Sequence, residues 1–314
     1  MENLPGVKSN EPLAPYTNFK IGGPAKFFFQ AKSTQDVVSA AQVAAEIGVP
    51  FMLIGGGTNL VVADKGFPGL VVQVKSNTLL IEGTQVTADA GVALAYLVQQ
   101  SVSHGLTGLE PLVAVPGTVG GAVYGNAGVP QITHGFIGDF VQGITALRGD
   151  TIQHLTQAEC KFGYRDSAFK HGSDVILQVV LGLEQGNKEE SQALIQKYIA
   201  SRKSQPYDMP SSGCIFTNVA ITNPEEVKQK FNGEEKLEGF MAKGQLPASW
   251  LIDMAGLKGK TIGGIQVSEK HANYLVNTGS GTADQVVQMI SYIKQQVRDK
   301  FGIELMEEVR NVGF

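Results

Sequence analysis

The residues best suited to chemistry form a glycine-rich turn directly after a short apolar segment: Gly55, Gly56, Gly57, Thr58, Asn59 and Leu60. Successive residues without a Cβ atom let backbone N–H groups converge on an anion, and Thr58 and Asn59 add side-chain donors. A phosphate or pyrophosphate is the natural ligand of such a nest. An ordinary tight turn fits the same pattern. The turn is neither a Walker loop, since no Gly-Lys-Ser/Thr follows, nor a complete Rossmann fingerprint.

A second glycine-rich loop follows, with the residues Pro116, Gly117, Thr118, Val119, Gly120, Gly121 and Ala122, and Asn126-Ala127-Gly128 comes shortly after it. Two such loops can serve the two ends of one long cofactor. This arrangement favours a cofactor site over two unrelated turns, although a chain with 38 glycines also has turns of no functional interest.

Composition narrows the class of protein. With 314 residues, 43% hydrophobic and 17% charged, the chain is expected to be globular with two or three domains. The net charge of −4 argues against nucleic-acid binding. The five histidines are scattered without metal-ligand spacing, so no catalytic metal is predicted, and two cysteines do not suggest a disulfide framework. The N-terminus lacks a secretory signal and no apolar run is long enough to span a membrane, so we expect a cytoplasmic protein.

The first glycine turn is positioned by a strand–helix–strand unit. The pattern predicts strands over residues 26–31, 50–54 and 69–74, and a helix over 34–47 with Ser33 as its N-cap and Gly48 at its end. The order indicates a βαβ-like unit.

Further along, the pattern predicts strands over 85–90 and 175–183 and a helix over 92–104, whereas 105–128 shows no periodicity. A polar helix over 188–201 leads to a hinge at Gln205-Pro206. The last block contains a strand over 212–216, a helix over 247–255, an amphipathic helix through 286–301 and a final strand over 304–312.

These motifs, in this order, resemble the UDP-N-acetylenolpyruvoylglucosamine reductase family. The matching segments cover nearly the whole chain: 16–25, the glycine turn, 108–111, 116–122, 162–167, 212–218, 255–259, 262–273 and 308–310. The resemblance implies an α+β fold, with a two-lobed FAD-binding region of the vanillyl-alcohol-oxidase (PCMH) type and a separate α+β substrate-binding domain. We expect lobe 1 at residues 1–74 and 303–314, lobe 2 at 75–204 and the substrate domain at 205–302. A short segment after Arg165 is typical of the family's shorter form, which lacks an extra tyrosine-bearing loop.

The reaction implied by the resemblance has two halves. NADPH reduces FAD, and the reduced flavin N5 delivers a hydride to the vinyl carbon of the UDP-N-acetylglucosamine enolpyruvate, which becomes UDP-N-acetylmuramate, a peptidoglycan precursor. The resulting enolate needs electrostatic stabilisation and a proton. Arg165 matches the family arginine, and its guanidinium suits a carboxylate, although an ordinary ion pair is the alternative role.

Glu308 matches the family glutamate beside the substrate, although the neighbouring Glu307 makes that assignment less direct. Cys214 stands where the family commonly has the serine that donates the proton. A thiol is a stronger acid than an aliphatic hydroxyl and stays mostly protonated at neutral pH, so the replacement preserves the role. A structural cysteine is the alternative for Cys214, and Cys160, which lies in no such motif, is expected in the core.

The resemblance also implies the ligand contacts. FAD is expected to contact Gly55, Gly56, Gly57, Thr58, Asn59, Leu60, Pro116, Gly117, Thr118, Gly120, Gly121, Ala122 and Arg310. Substrate contacts are expected from Tyr164, Lys203 and Asn218. The lysine is displaced by one residue in Lys203-Ser204-Gln205-Pro206, and Val129-Pro130-Gln131 replaces the usual Ala-Tyr-Gly, so both segments depart from the family.

Two other functions remain open from the sequence. One is an oxidase that uses molecular oxygen on the same flavin scaffold, and the other is a non-catalytic protein that binds a nucleotide or UDP-sugar. The substrate-block residues Cys214, Asn218 and Glu308 favour the reductase, which we expect to be a monomer.

Overall fold

The fold is described from a computed structural model, which covers residues 4–129, 135–202 and 205–314. The chain forms two compact units. The first contains Met1–Pro12, Pro24–Gly57 and Phe67–Lys203, and the second contains Leu13–Gly23, Thr58–Gly66 and Ser204–Phe314. Each unit therefore takes segments from distant parts of the sequence. The three-domain division expected from the sequence stays a prediction.

Helices and strands are mixed throughout the described residues. The α-helices are α1 Thr34–Glu46, α2 Leu94–Ser103, α3 Val119–Tyr124, α4 Lys188–Ser201, α5 Pro224–Lys230, α6 Leu237–Ala242, α7 Ala248–Met254 and α8 Ala283–Phe301. The strands are β1 Lys8–Pro12, β2 Pro24–Ala31, β3 Phe51–Ile54, β4 Leu60–Val62, β5 Phe67–Val74, β6 Leu79–Glu82, β7 Gln85–Asp89, β8 Leu106–Thr107, β9 Val141–Arg148, β10 Thr151–Thr156, β11 Val175–Gly182, β12 Glu184–Gln185, β13 Ser211–Cys214, β14 Val219–Ala220, β15 Gln245–Leu246, β16 Thr261–Ile262, β17 Ile265–Val267, β18 Tyr274–Asn277 and β19 Arg310–Val312. In the described part of the chain no helix is both long and apolar enough to cross a bilayer.

The first unit begins with the predicted strand–helix–strand element. β2 and β3 both pair with β5 in parallel, in the sheet order β1-β2-β5-β3. Ser33 caps α1 as predicted, because its hydroxyl accepts from the Asp36 amide while the Asp36 carboxylate accepts from the Ser33 amide. β3 ends at Ile54, and the first glycine turn begins at the next residue.

A five-stranded antiparallel sheet follows in the first unit, with the order β10-β9-β11-β7-β6. The sequence prediction missed the β9–β10 hairpin, although its signal is present. Gly149, with φ of +58°, and Asp150 form a two-residue loop between strands of alternating burial. α3 packs on this sheet through Gly120, where a Cβ atom would lie 2.7 Å from the Cβ of Ala90.

Glu110 is a buried carboxylate that joins the 3₁₀ turn Glu110–Ala114 to α4, with only 2% of its surface exposed. It accepts hydrogen bonds from the Ser191 hydroxyl at 2.5 Å, the Thr107 hydroxyl at 2.6 Å and the Gly108 amide at 2.8 Å. Desolvation by burial alone raises the pKa of Glu110, but these hydrogen bonds outweigh it and leave the pKa below its ordinary value. The charged carboxylate therefore stabilises this part of the first unit.

Glu110→Gln is expected to lower the free energy of unfolding by about 2–3 kcal/mol, because the new amide group faces donors that have lost their acceptor. The depressed pKa gives the wild type stability that is fully present above the ordinary glutamate pKa of 4.5 and is lost as the pH falls through the lower pKa of the folded state. Urea unfolding of both proteins across this pH range checks both statements. The exposed Glu184→Gln is the matched control, and an equal loss of stability in both variants would contradict the prediction.

The second unit is built around α8, whose buried face packs on the antiparallel sheet β13-β18-β17-β16. That face contains Val286, Met289, Ile290, Ile293 and Val297. The predicted period of three and four residues is confirmed. Segments from early in the sequence complete this core, since Phe19, Ile21 and Val61 are buried in it.

The N-terminus of α8 is capped twice. Thr282 and Gln285 form a capping box, and the Asp64 carboxylate accepts from the Ala283 amide at 2.9 Å and the Asp284 amide at 3.0 Å. β4 lies just before Asp64 and pairs in parallel with β19. The final strand is therefore shorter than the predicted 304–312, because its partner β4 has only three residues.

Candidate functional site

Gly55 of the first glycine turn lies close to Thr118 of the second glycine loop, and both residues belong to the first unit. A Cβ atom on Gly55 would lie 2.3 Å from Oγ1 of Thr118, so only glycine allows this approach. Gly57 has φ of +63°, which also favours glycine. In the part of the chain that the structure describes, the amides of Gly55, Gly56 and Gly57 donate to no backbone carbonyl. Amides of this kind can donate to a phosphate.

The second glycine loop begins α3, a helix that the sequence did not predict. Thr118 is its N-cap, with its hydroxyl accepting from the Gly121 amide at 3.4 Å. The Val119 amide donates to the Val92 carbonyl and the Gly120 amide to the Ala90 carbonyl, both at 2.9 Å. These two amides are therefore engaged within the protein, and Gly120 has a packing role of its own. Its contact with FAD stays a prediction.

Arg165 lies at the tip of a two-residue turn in the first unit. The turn is closed by hydrogen bonds from the Gly163 amide to the Asp166 carbonyl at 3.0 Å and from the Asp166 amide to the Gly163 carbonyl at 3.2 Å. Arg165 has φ of +56°, a conformation that is strained for a residue with a side chain. Its guanidinium lies 5.9 Å from the ring centre of Tyr164 and 6.0 Å from that of Phe136.

A β-bulge in the second unit determines how Cys214 is presented. Ser211 stands opposite Val276 and Cys214 opposite Tyr274, so two residues of β13 face a single residue of β18. The extra residue lets Ser211 and Cys214 share one face of the sheet, where strict alternation would place them on opposite faces. Gly213 accommodates the bulge with φ of +81°. Cys214 is half-buried, whereas Cys160 is in the core as predicted.

Gly213→Ala is expected to lower the free energy of unfolding by about 1 kcal/mol, because alanine resists the left-handed conformation although space for its Cβ is open. Gly213→Asn should cost less, since asparagine adopts this conformation more readily. Denaturant unfolding of the two variants measures the difference. Equal stability of the alanine variant and the wild type would contradict a backbone requirement for glycine.

Glu308 is held beside the Cys214 segment by its backbone. Its amide donates to the Ile215 carbonyl at 2.7 Å, and its carbonyl accepts from the Asn59 side chain at 3.1 Å. The adjacent Glu307 is committed elsewhere, since its carboxylate contacts Lys294 at 3.1 Å and Asn311 at 3.0 Å. Of the two glutamates, Glu307 therefore has the structural role. The assignment of Glu308 to the substrate stays a prediction.

Asn218 and Arg310 are the other residues of the second unit that the sequence predicts to contact a ligand. The side-chain oxygen of Asn218 accepts from the Ala248 amide at 3.3 Å and so helps to cap α7. Arg310 is exposed in β19, although partial desolvation lowers the pKa of its guanidinium from the ordinary value. Lys203 lies outside the described residues, as do Pro130 and Gln131 in the divergent loop.

Sequence reasoning missed several residues that hold these segments. Phe136 lies in no motif, and no signal identified its contact with Arg165. Asn273, inside a matched motif, accepts from the Phe216 amide at 2.9 Å and donates to the Phe216 carbonyl at 2.8 Å. It thereby fixes the strand end that follows Cys214. Among the described residues, no group of three or more His, Cys, Asp or Glu could hold a metal ion.

Comparison with protein families first defines the class. Residues 25–155 match the model of an FAD binding domain, and residues 205–312 match the model of the UDP-N-acetylenolpyruvoylglucosamine reductase C-terminal domain. The first match includes both glycine loops, and the second includes Cys214 and Glu308. The chain is therefore a flavoprotein with a second, reductase-specific domain.

Full-length relatives define the family. The UDP-N-acetylenolpyruvoylglucosamine reductase of Solibacter usitatus is 38% identical over 309 residues, which are 98% of this chain and 97% of that protein. The reductase of Caldanaerobacter subterraneus subsp. tengcongensis is 36% identical and covers 97% of this chain and 93% of its own. The crystal structure of the Thermus caldophilus reductase superposes with a TM-score of 0.76 at 28% identity and covers 98% of each chain.

The chain belongs to the UDP-N-acetylenolpyruvoylglucosamine reductase family. The predicted α+β fold, with an FAD-binding region and a separate second domain, is confirmed. The predicted class of enzyme, an FAD-dependent oxidoreductase, is confirmed as well.

Proposed function

We propose that this protein uses NADPH to reduce UDP-N-acetylglucosamine enolpyruvate to UDP-N-acetylmuramate, for peptidoglycan synthesis in the cytoplasm. The observation that carries the proposal is the similarity to reductases over 98% of the chain, which includes the C-terminal domain as well as the FAD-binding region. A flavin scaffold alone would fit an oxidase equally well. The protein acts as a monomer in this proposal.

FAD fits the first glycine turn by its chemistry. The close approach of Gly55 to Thr118, with Gly57 in a left-handed conformation, forms a backbone cradle that a Cβ atom would fill. The proposed pyrophosphate contacts come from the residues of the two loops named above, and Arg310 is a further proposed FAD contact. Bound FAD would supply the transfer of a hydride from NADPH to the vinyl carbon of the substrate.

Arg165 and Glu308 are proposed to act on the enolate. Addition of a hydride to the terminal vinyl carbon moves the electron pair of the double bond to the neighbouring carbon and its carboxylate. The planar guanidinium of Arg165 can hold that carboxylate by two parallel hydrogen bonds. The Tyr164 and Phe136 rings beside the guanidinium limit its freedom and so reduce the entropy lost on binding. Glu308 assists enolate formation as an acid.

Cys214 is proposed to complete the reaction by donating its thiol proton to the carbanionic carbon. The C–H bond forms as the S–H bond breaks, and the thiolate regains a proton from solvent before the next turnover. The half-buried position of Cys214 leaves it accessible to a substrate and to water. Tyr164, Lys203 and Asn218 are proposed substrate contacts, and Asn218 combines that role with the capping of α7.

The experiment is to purify the protein, record its flavin spectrum and follow NADPH oxidation. We expect a yellow protein that consumes NADPH steadily only when the enolpyruvyl UDP-sugar is present. A colourless protein that cannot be reconstituted with FAD would contradict the proposal. Peroxide formation from a simple alcohol without NADPH would instead indicate an oxidase, and tight binding of the UDP-sugar with no turnover would indicate a binding protein.

A further inference from the structure

Asn126 is a buried residue at the end of α3, with 5% of its surface exposed and φ of +42°. Asparagine is one of the few residues with a side chain that adopts this left-handed conformation readily. Its amide donates from Nδ2 to the Gly163 carbonyl at 2.7 Å and accepts at Oδ1 from the Gly138 amide at 3.0 Å. The side chain therefore bridges two other segments of the first unit.

The hydrogen bond to Gly163 reaches the base of the turn that carries Arg165. Because Gly163 and Asp166 are joined by two backbone hydrogen bonds, the turn between them can move only as a unit. Fixing the Gly163 carbonyl therefore fixes the direction in which Arg165 leaves the turn. The strained φ of Arg165 requires such support from its surroundings.

A second hydrogen bond, just beyond the other end of the turn, also connects this segment to α3. The buried Ser167 hydroxyl, one residue beyond the turn, donates to the Tyr124 carbonyl of α3 at 2.7 Å. The Lys170 ammonium also holds the turn itself, since it donates to the backbone carbonyl of Arg165 at 2.6 Å. The turn is thus attached at one end to Asn126, two residues after α3, and beyond its other end to Tyr124, the last residue of α3.

A purely local role for the Asn126 side chain does not fit these contacts. The backbone of Asn126 already closes the end of α3 through its amide, which donates to the Val123 carbonyl at 3.1 Å. The side chain makes its two hydrogen bonds away from the helix. Gly138 approaches so closely that a Cβ atom there would lie 2.8 Å from Oδ1 of Asn126.

We propose that Asn126 is a positioning residue, which holds the Gly163–Asp166 turn so that the Arg165 guanidinium is ready for the substrate carboxylate. The inference rests on the proposed function. It assigns Asn126 no contact with substrate or cofactor. Through α3, it also connects the second glycine loop to the turn that carries Arg165.

Two substitutions separate the two hydrogen bonds. Asn126→Asp keeps the left-handed conformation and the acceptor for the Gly138 amide, but places a carboxylate oxygen against the Gly163 carbonyl. Asn126→Gly keeps the backbone conformation and removes both bonds. We expect either variant to slow flavin reoxidation by the enolpyruvyl UDP-sugar about 10- to 100-fold, as a small misplacement of a catalytic group does. The rate of flavin reduction by NADPH and the FAD content should equal those of the wild type.

Arg165 itself provides the decisive control. If Asn126 acts through Arg165, Asn126→Asp will not slow reoxidation further in a protein that already carries Arg165→Gly. Ser167→Ala, which removes the second hydrogen bond to α3, should reproduce the defect in weaker form. Multiplicative effects of the two changes in the double variant would overturn the inference, as would a normal reoxidation rate in both Asn126 variants. If the wild type does not turn over at all, the proposed function has failed instead.

Discussion

Cys214→Ala is expected to slow reoxidation of the reduced flavin by the enolpyruvyl UDP-sugar about 10²- to 10⁴-fold, the usual contribution of a positioned general acid. Flavin reduction by NADPH should proceed at the wild-type rate, because that half of the reaction needs no proton from the thiol. The two halves are measured separately by stopped-flow absorbance of the flavin. The steady-state kcat should fall with the reoxidation rate.

Two further cysteine variants sharpen the result. Cys160→Ala is the matched control, since burial raises the pKa of the Cys160 thiol to about 11 and the residue lies in the core. It should alter stability and leave both half-reactions unchanged. Cys214→Ser should retain much more activity than Cys214→Ala, because a hydroxyl can still donate a proton. If the alanine variant reoxidises as fast as the wild type, Cys214 is not the proton donor.

Arg165→Gly is the second substitution with a large expected effect. Loss of the guanidinium should slow flavin reoxidation about 10²- to 10³-fold, comparable to the loss of one oxyanion-stabilising donor. The free energy of unfolding should stay within about 1 kcal/mol of the wild type, because glycine relieves the left-handed strain while the ring contacts are lost. Chemical denaturation and stopped-flow kinetics on the same preparation test both statements.

Lys161 offers a matched control for the backbone. It also has a positive φ, +45°, but its side chain is exposed and no function is proposed for it. Lys161→Gly should stabilise the protein slightly and leave both half-reactions unchanged. Arg165→Lys tests whether the planar guanidinium is needed. The lysine keeps the positive charge but cannot form two parallel hydrogen bonds to a carboxylate. Full activity of the lysine variant would show that the charge alone is sufficient.

Local signals in the sequence predicted the regular elements of the fold well. The helix over 188–201 is observed as Lys188–Ser201, because Asn187 caps it at the predicted start. The amphipathic helix was predicted from its period and is observed as α8. α3 was missed because Gly120 and Gly121 lower helix propensity. The close packing on Ala90, which a sequence pattern does not reveal, explains Gly120.

Elements whose bounds depend on contacts with distant parts of the sequence were harder to predict from the sequence. The length of β19 is determined by β4, which lies far away in the sequence. No periodicity could show that residues 13–23 and 58–66 join the unit that contains residues 204–314. In each case the determining contact is long-range, whereas periodicity reports only the local surroundings.

In the candidate site, too, the sequence predicted residues that lie in motifs but not the long-range contacts that hold them. The family motifs predicted roles for Arg165, Cys214 and Glu308, but not the features that position these residues. The Gly213 bulge changes the face on which Cys214 lies, and Asn126 holds the Arg165 turn through a contact 37 residues away. The commitment of Glu307 to Lys294 depends on α8 and so needed the folded chain.

The pairing of β4 with β19 joins two strands that the ribosome makes at well-separated times. Leu60–Val62 is made about 250 residues before its partner, Arg310–Val312. At usual rates of synthesis the partner emerges on the order of tens of seconds later. During that time Val61, fully buried in the finished protein, lacks the strand with which it pairs. Until that partner has been made, nascent chains therefore carry an apolar strand whose backbone has no paired strand.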